Sequence, residues 1–372
     1  MNKTILACAT LMGTIIGAGI FALPYIFSRS GVGLCLLYLF IISFIVALLH
    51  LFFGEVILRT EQESRLIGLA HRYLGAKAKI TVGAGVLIGS LGSLLVYIIL
   101  AGQFLSILFP FFLSAFQWSI VAWFILSFLV FWGTKPIALI EILLSGLLFL
   151  TGAAIIVFCL PAINPSHFFL WNHHNLFLPF GVFLFSLIGW SAVPECEDLL
   201  SKKRDLKKVI IISIVVCALF YALFGITISA VTGVHTTKEP FSGLAPFLGQ
   251  GVISLAAVFG LLSVITSFLT IANYFKNTLC FDCKIPSIPA FLLAVFSPLV
   301  LFLAGLREFV VLISALGIFI GFIEGGAICL MWLKAKKQGT KAPSYTISLP
   351  NGSAYLVIAV LALGAFAWIF YH

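Results

Sequence analysis

Apolar runs of roughly 20 residues, long enough to cross about 30 Å of hydrocarbon as helices, recur from one end of this chain to the other. Only lipid lets so many such runs face outward, because the medium around them is then itself apolar. The composition agrees: 62% of the residues are hydrophobic and 9% charged, against about 25% charged in an ordinary soluble domain. Eleven spans are expected, at about 4–28, 33–58, 80–109, 118–133, 138–160, 176–194, 208–233, 250–278, 288–306, 308–333 and 352–371. No soluble domain interrupts them, so residues 1–372 read as one transmembrane domain. The first span resembles a signal peptide, but its apolar stretch is too long and further spans follow. The expected fold class is an all-α polytopic membrane protein.

The net charge of +9 would suit nucleic acid if the basic residues clustered. They sort by membrane side instead. With the N-terminus inside, 18 of the 21 Lys and Arg residues fall inside, and only Arg29, Lys238 and Arg307 outside. That asymmetry is the positive-inside rule; it expects a cytoplasmic N-terminus, an outer C-terminus and an inner (plasma) membrane location. Anionic lipid is then the partner for the basic face, and nucleic acid is not expected. The eight cysteines are scattered mostly within spans, as small hydrophobes. Cys280 and Cys283 form a lone CxxC without a second pair or a nearby His, a poor zinc site.

Two spans carry residues that a helix resists. Span 1 holds Gly13, Gly17, Gly19 and Pro24, and span 6 holds Gly189 and Pro194. In soluble hosts each Gly costs about 1 kcal/mol and each Pro about 3 relative to Ala. Interrupted helices at matching positions of two halves point to an inverted-repeat transporter. The repeats would cover about 4–160 and 176–333, a 5+5 arrangement with an extra helix at 352–371. A helix broken at mid-membrane exposes main-chain groups that lipid cannot satisfy. Free N–H groups at Gly17, Ala18 and Gly19 would favour a carboxylate. Carbonyls freed around Phe185, Ser186 and Leu187 would favour an ammonium group. The pair describes a site for an α-amino acid. Close helix packing through Gly13-xxx-Gly17 is the plainer alternative for span 1, but it leaves the break in span 6 without a cause.

The runs GTIIGAGIFALPYIFSRSG, LFSLIGWSAVPE and SVITSFLTIANYF resemble spans 1, 6 and 8 of the amino acid permeases. The likeness is to the aromatic and hydroxy amino acid permeases and the wider amino acid/auxin permease family. These belong to the amino acid–polyamine–organocation superfamily, and the resemblance implies its leucine-transporter fold. It also implies a substrate carboxylate on Gly17, Ala18 and Gly19 and an amino group near Phe185, Ser186 and Leu187. Tyr97 would set a hydroxyl near the substrate, and Trp190 would act as an aromatic gate. The sodium-coupled members imply a Na⁺ site from the carbonyls of Gly13, Ile16 and Ser263 and the hydroxyls of Thr266 and Ser267. Ser263, Thr266 and Ser267 share one helical face, although such hydroxyls also bond back to their own helix.

The alternative coupling ion is H⁺. Some proton-coupled relatives place a lysine in span 5, and this chain has only Lys135 at the edge of that span. The acidic candidates within spans are Glu141 and Glu324, with Glu55 and His50 near the inner end of span 2. An ionisable group in a span is expensive and functional by default. Arg59, one turn from Glu55, is its expected partner, which leaves Glu324 as the proton-relay candidate. Glu195, Glu197 and Asp198 are expected to pair with the Lys202–Arg204 cluster.

The expected function is secondary active symport of a neutral amino acid with Na⁺ or H⁺ and no cofactor. Ser186, Leu187, Trp190, Phe268 and Ile271 make an aromatic substrate suitable. The rival classes are a membrane enzyme and a passive channel. The only His cluster, His167, His173 and His174, lacks metal-ligand spacing, and no repeated filter sequence is present.

Overall fold

In hydrocarbon every N–H must find its acceptor within the same segment or a closed sheet, and this chain takes the helical solution. The computed structural model describes residues 3–61, 64–131, 137–238 and 241–371, and contains no strand among them. Lys135 and the side chain of Glu141 lie outside the described residues. Helix α1 (Lys3–Ile15) gives way to a 3₁₀ turn at Ala18–Ala22 and then α2 (Leu23–Ser30), the two parts bent by 47°. Gly31, at φ 94°, turns the chain directly into α3 (Val32–Leu58), and Gly75, at φ 93°, joins α4 (Leu66–Leu74) to α5 (Ala76–Leu108). Only glycine adopts such angles without a steric penalty. The first half ends with α6 (Ala115–Phe131) and α7 (Ile137–Cys159).

The second half opens on another interrupted span. Helix α8 (Leu178–Leu187) stops, a 3₁₀ turn follows at Trp190–Ala192, and α9 (Val193–Leu199) resumes. Then come α10 (Leu206–Thr232), α11 (Ala245–Phe281) and α12 (Ser287–Leu303). Helix α13 (Phe309–Ile320) passes through a π turn at Gly321–Gly325 into α14 (Gly326–Gln338), and α15 (Gly352–Tyr371) ends the chain. Among the described residues, seven helices are long and apolar enough to cross a membrane, eight if the bent pair is one span. Shorter apolar helices lie at Ala115–Phe131, Ser287–Leu303 and Gly352–Trp368.

Helix α1 runs through the middle of the bundle, packed on α7, α9, α10 and α11. Large apolar side chains such as Phe40, Phe44, Phe111 and Phe124 point outward, while Trp190, Trp332 and Tyr221 are fully buried. An exterior this apolar is stable only against lipid. Helix α4 is short and two-faced, with His71 and Arg72 in its last turn. Its apolar residues Leu66, Leu69 and Tyr73 are buried, and it packs on α5 and α14. Thr60 and the Tyr73 hydroxyl close that contact at 2.8 Å.

The expected Glu55–Arg59 pair is present, with Arg59 Nε and Nη2 donating to Glu55 Oε1 at 2.9 and 2.8 Å. Two partners that the sequence did not announce complete it. Trp332 Nε1 and the Ile347 amide donate to Glu55 Oε2 at 2.8 and 2.9 Å. The amides of Thr340 and Lys341 donate to Arg59 O, and Tyr345 Oη to Leu51 O. A strap between α14 and α15 is thereby fastened to the end of α3.

Candidate substrate and ion site

The two interruptions face each other, and each contributes a glycine to the approach. A Cβ on Gly19 would lie 2.7 Å from Ser186 Cα, and one on Gly189 2.6 Å from Ile15 Cγ1. Each half-helix end therefore fits where the other has no side chain. Tyr221 on α10 bridges the breaks, its hydroxyl 2.8 Å from both Ile15 O and Ser186 O. A phenol has one proton, so it donates to one of these carbonyls at a time. Nothing in the sequence singled out Tyr221; its neighbours are apolar and it sits mid-span.

Between the breaks lies a small cavity of about 40 Å³, lined in part by Gly17, Ala18, Gly19, Tyr97, Phe185 and Ser186. Ser93, Ser191, Ile271 and Ile320 complete much of its wall. Of the residues expected to bind substrate, Leu187 and Trp190 are buried but do not line this cavity. The first N–H groups of a helix have no acceptor within it, which here are those of Ala18 and Gly19. The Gly17 amide donates back to Ile15 O at 2.9 Å. On the facing span, Ile188 N takes Phe185 O, while Ser186 O meets only the shared Tyr221 hydroxyl among the hydrogen bonds described.

The residues expected to hold a cation are brought together in part. Ser263 Oγ donates to Ile16 O at 3.0 Å, and Thr266 Oγ1 to Ser263 O at 2.9 Å. A Cβ on Gly17 would meet Ser267 Oγ at 2.9 Å and Tyr97 Oη at 3.0 Å. Ser267 Oγ is buried without a well-formed hydrogen bond. Gly13 faces Ser145 of α7, whose hydroxyl is likewise buried and unpartnered. Glu324 is buried, and Trp190 Nε1 donates to its Oε2 at 2.7 Å. That partner lies 134 positions away in the chain, beyond the reach of sequence spacing.

Both ends of the site are closed. Phe241 is buried among Phe21, Phe104 and Phe224, with ring centroids 5.7, 6.0 and 6.3 Å away. The loop at 235–246 thus inserts a ring into the bundle, residues 239 and 240 lying outside the described residues. At the basic end, Arg65 Nη1 lies 3.7 Å from Glu195 Oε1, and Lys203 Nζ 3.0 Å from Glu197 Oε1. The acidic cluster thus divides its partners: Lys203 pairs with Glu197 as expected, while Glu195 reaches across to the start of α4. A recess of about 410 Å³ lies there, lined in part by Arg65, Glu197, Asp198 and Lys203.

An apolar exterior, many helices fit to span a bilayer and two broken helices around a small cavity define an integral, multi-pass membrane protein. Residues 1–369 match the model of the tryptophan/tyrosine permease family, and the chain belongs to that family. Membership implies transport of an amino acid rather than catalysis. No curated protein matches the chain.

Proposed function

We propose that the protein is a secondary active symporter of a neutral, aromatic amino acid, working by alternating access. The observation that carries this reading is the reciprocal approach of the two breaks, Gly19 on Ser186 and Gly189 on Ile15, around one cavity. The substrate carboxylate sits on the amides of Gly17, Ala18 and Gly19. Its ammonium group sits on the carbonyls around Phe185, Ser186 and Leu187, with Tyr97 beside it and Trp190 as the gate. The family model supports an aromatic side chain.

The architecture proposed is the leucine-transporter fold of the amino acid–polyamine–organocation superfamily. Eleven spans form a 5+5 inverted repeat, about 4–160 and 176–333, plus a last helix at 352–371. Eight long spans and three shorter apolar helices support that count. The basic residues support a plasma-membrane protein with its N-terminus in the cytoplasm and its C-terminus outside.

A cavity of about 40 Å³ is far below the roughly 300–1,000 Å³ of ordinary ligand pockets. The spans must therefore part to admit a substrate, which supports a cycle of opening to either side from a closed form. The coupling ion is Na⁺ or H⁺. Na⁺ would take the oxygens of Gly13, Ile16, Ser263, Thr266 and Ser267, and H⁺ would use Glu324.

Uptake into proteoliposomes tests the reading. Radiolabelled tryptophan or tyrosine accumulates against its gradient when a Na⁺ or H⁺ gradient is imposed. Failure to concentrate any of the common amino acids under either gradient would refute it.

A further inference from the structure

Trp190 stands between two buried groups that can bind a proton. On one side its indole N–H is held by Glu324 Oε2. Glu324 lies in the π turn Gly321–Gly325, and single π turns inside helices gather at functional sites. Glycines of helix α5 line the carboxyl: a Cβ on Gly89 would lie in ordinary contact 3.6 Å from Glu324 Oε1, and one on Gly85 3.7 Å from its Cγ, the tight approaches there being to Ile320 and Ile323.

On the other side the His50 ring lies 5.7 Å from the Trp190 ring. His50 Nδ1 is 2.8 Å from Val46 O. A carbonyl can only accept, so Nδ1 carries the proton, and in the neutral ring Nε2 is a bare acceptor. That Nε2 is fully buried against the Gly189 backbone, makes no well-formed hydrogen bond, and lies 3.4 Å from where a Cβ on Gly189 would stand. An indole N–H with one occupied and one vacant acceptor is the material of a two-position latch.

The other groups around it are few. Tyr274 of α11 faces Glu324 and, toward the basic end, Arg65 and Asp282. Helix α5 offers glycines here, its Lys79 facing Asp282 instead. Helix α15 packs Leu361 on Gly325, and its Tyr355 is exposed.

We propose that Glu324 carries the coupling proton and that Trp190 transmits its charge state to the break of span 6, with His50 as the second acceptor. This deepens the transport reading above and rests on it. As a carboxylate, Glu324 holds the indole through a charge-assisted bond and fixes the turn Trp190–Ala192. When Glu324 takes a proton the bond weakens, the indole can turn toward His50 Nε2, and α9 is free to move with it. The only bond made and broken is the O–H of Glu324. One proton binds from one side and leaves to the other in each cycle.

E324Q retains the size and an acceptor for Trp190 but takes no proton. The full-length protein, reconstituted, is assayed with tritiated tryptophan in two modes: exchange without any gradient, and accumulation under an inside-alkaline pH gradient at fixed Na⁺. The unaltered protein accumulates label, whereas E324Q still exchanges it but reaches only the equilibrium level. W190F removes the donor that links Glu324 to the turn, so this variant too loses accumulation under the pH gradient, whereas exchange does not require the link. His50→Leu slows accumulation in the unaltered background and adds nothing in E324Q, the mark of one coupled unit. Full accumulation by E324Q or by W190F, or accumulation that follows Na⁺ at every pH, would overturn the latch. No exchange by the unaltered protein would sink the transport reading itself.

Discussion

Ser263 Oγ donates to the carbonyl oxygen of Ile16 at 3.0 Å, tying α11 to the break in span 1 across 247 positions. The two residues were expected to meet around a cation. In this closed form a hydroxyl proton occupies the place where a cation would draw on the Ile16 oxygen. Thr266 does the same to Ser263 O. A cation would have to turn these hydroxyl protons aside, so that hydroxyl and carbonyl lone pairs alike face the ion.

That geometry makes the Na⁺ question testable. Thr266→Ala with Ser267→Ala removes both candidate hydroxyl ligands. If Na⁺ is the coupling ion, the gain in uptake and in thermal stability on replacing K⁺ with Na⁺ shrinks in the double variant. Uptake indifferent to Na⁺ in the unaltered protein assigns coupling to the proton.

Gly19 tolerates no side chain while the breaks touch. A Cβ there meets Ser186 Cα at 2.7 Å, backbone that cannot swing away. Gly19→Val and Gly17→Val are expected to abolish tryptophan uptake while the protein still elutes as a single species in detergent. Gly17→Ala is milder, because its Cβ meets side-chain oxygens of Ser267 and Tyr97 at 2.9 and 3.0 Å. Uptake assays with size-exclusion profiles check both, and normal uptake in the two valine variants removes the carboxylate site from this segment.

Tyr221→Phe deletes the one hydroxyl shared by Ile15 O and Ser186 O. An unsatisfied buried carbonyl costs about 1–3 kcal/mol. The variant should melt at a lower temperature and transport more slowly, since both breaks lose their common tether. A melting curve and an uptake rate equal to those of the unaltered protein would show that the bridge is dispensable.

Glu55 accepts from four donors with two oxygens. Glu55→Gln leaves Arg59 uncompensated and turns an amide N–H₂ toward one pair of donors. Breaking a buried pair costs about 3–5 kcal/mol. The expected results are a lower melting temperature and faster trypsin cleavage after Lys341 in the released strap. Cleavage at the unaltered rate would mean that the strap is held by its other contacts.

Asp282, just beyond the end of α11, accepts from the Gly68 amide at 3.3 Å, and burial raises its carboxyl above the ordinary value. The folded protein therefore binds this proton more tightly than the unfolded chain does. The group's contribution is fully present below about pH 3.9, the ordinary value. It is lost as pH rises through the higher folded value. Asp282→Asn should flatten this part of the melting-temperature profile, and an identical profile would remove Asp282 as its cause.

The extent of legibility follows the range of the forces involved. The run of Gly and Pro in spans 1 and 6 announced both breaks because helix interruption is a local cost. The pair Glu55–Arg59 was legible because one helical turn separates them. Glu324 was visible as a buried acid, but its donor Trp190 was not, since that contact depends on where two distant spans cross. Tyr221 left no trace, being one apolar-flanked aromatic among many. Leu187 and Trp190 were placed at the cavity by position in a motif, whereas both are buried outside its lining.

Hydrophobicity and backbone cost act within a few residues, so the order of residues by itself determined that this chain spans lipid as helices and where two of them break. The distribution of Lys and Arg added the expected orientation. Tertiary structure alone decided what the breaks face: Gly19 against Ser186, Tyr221 between two carbonyls, and Trp190 between Glu324 and His50. Those relations come from helix crossings set by packing over the whole bundle, and no spacing along the chain encodes a crossing.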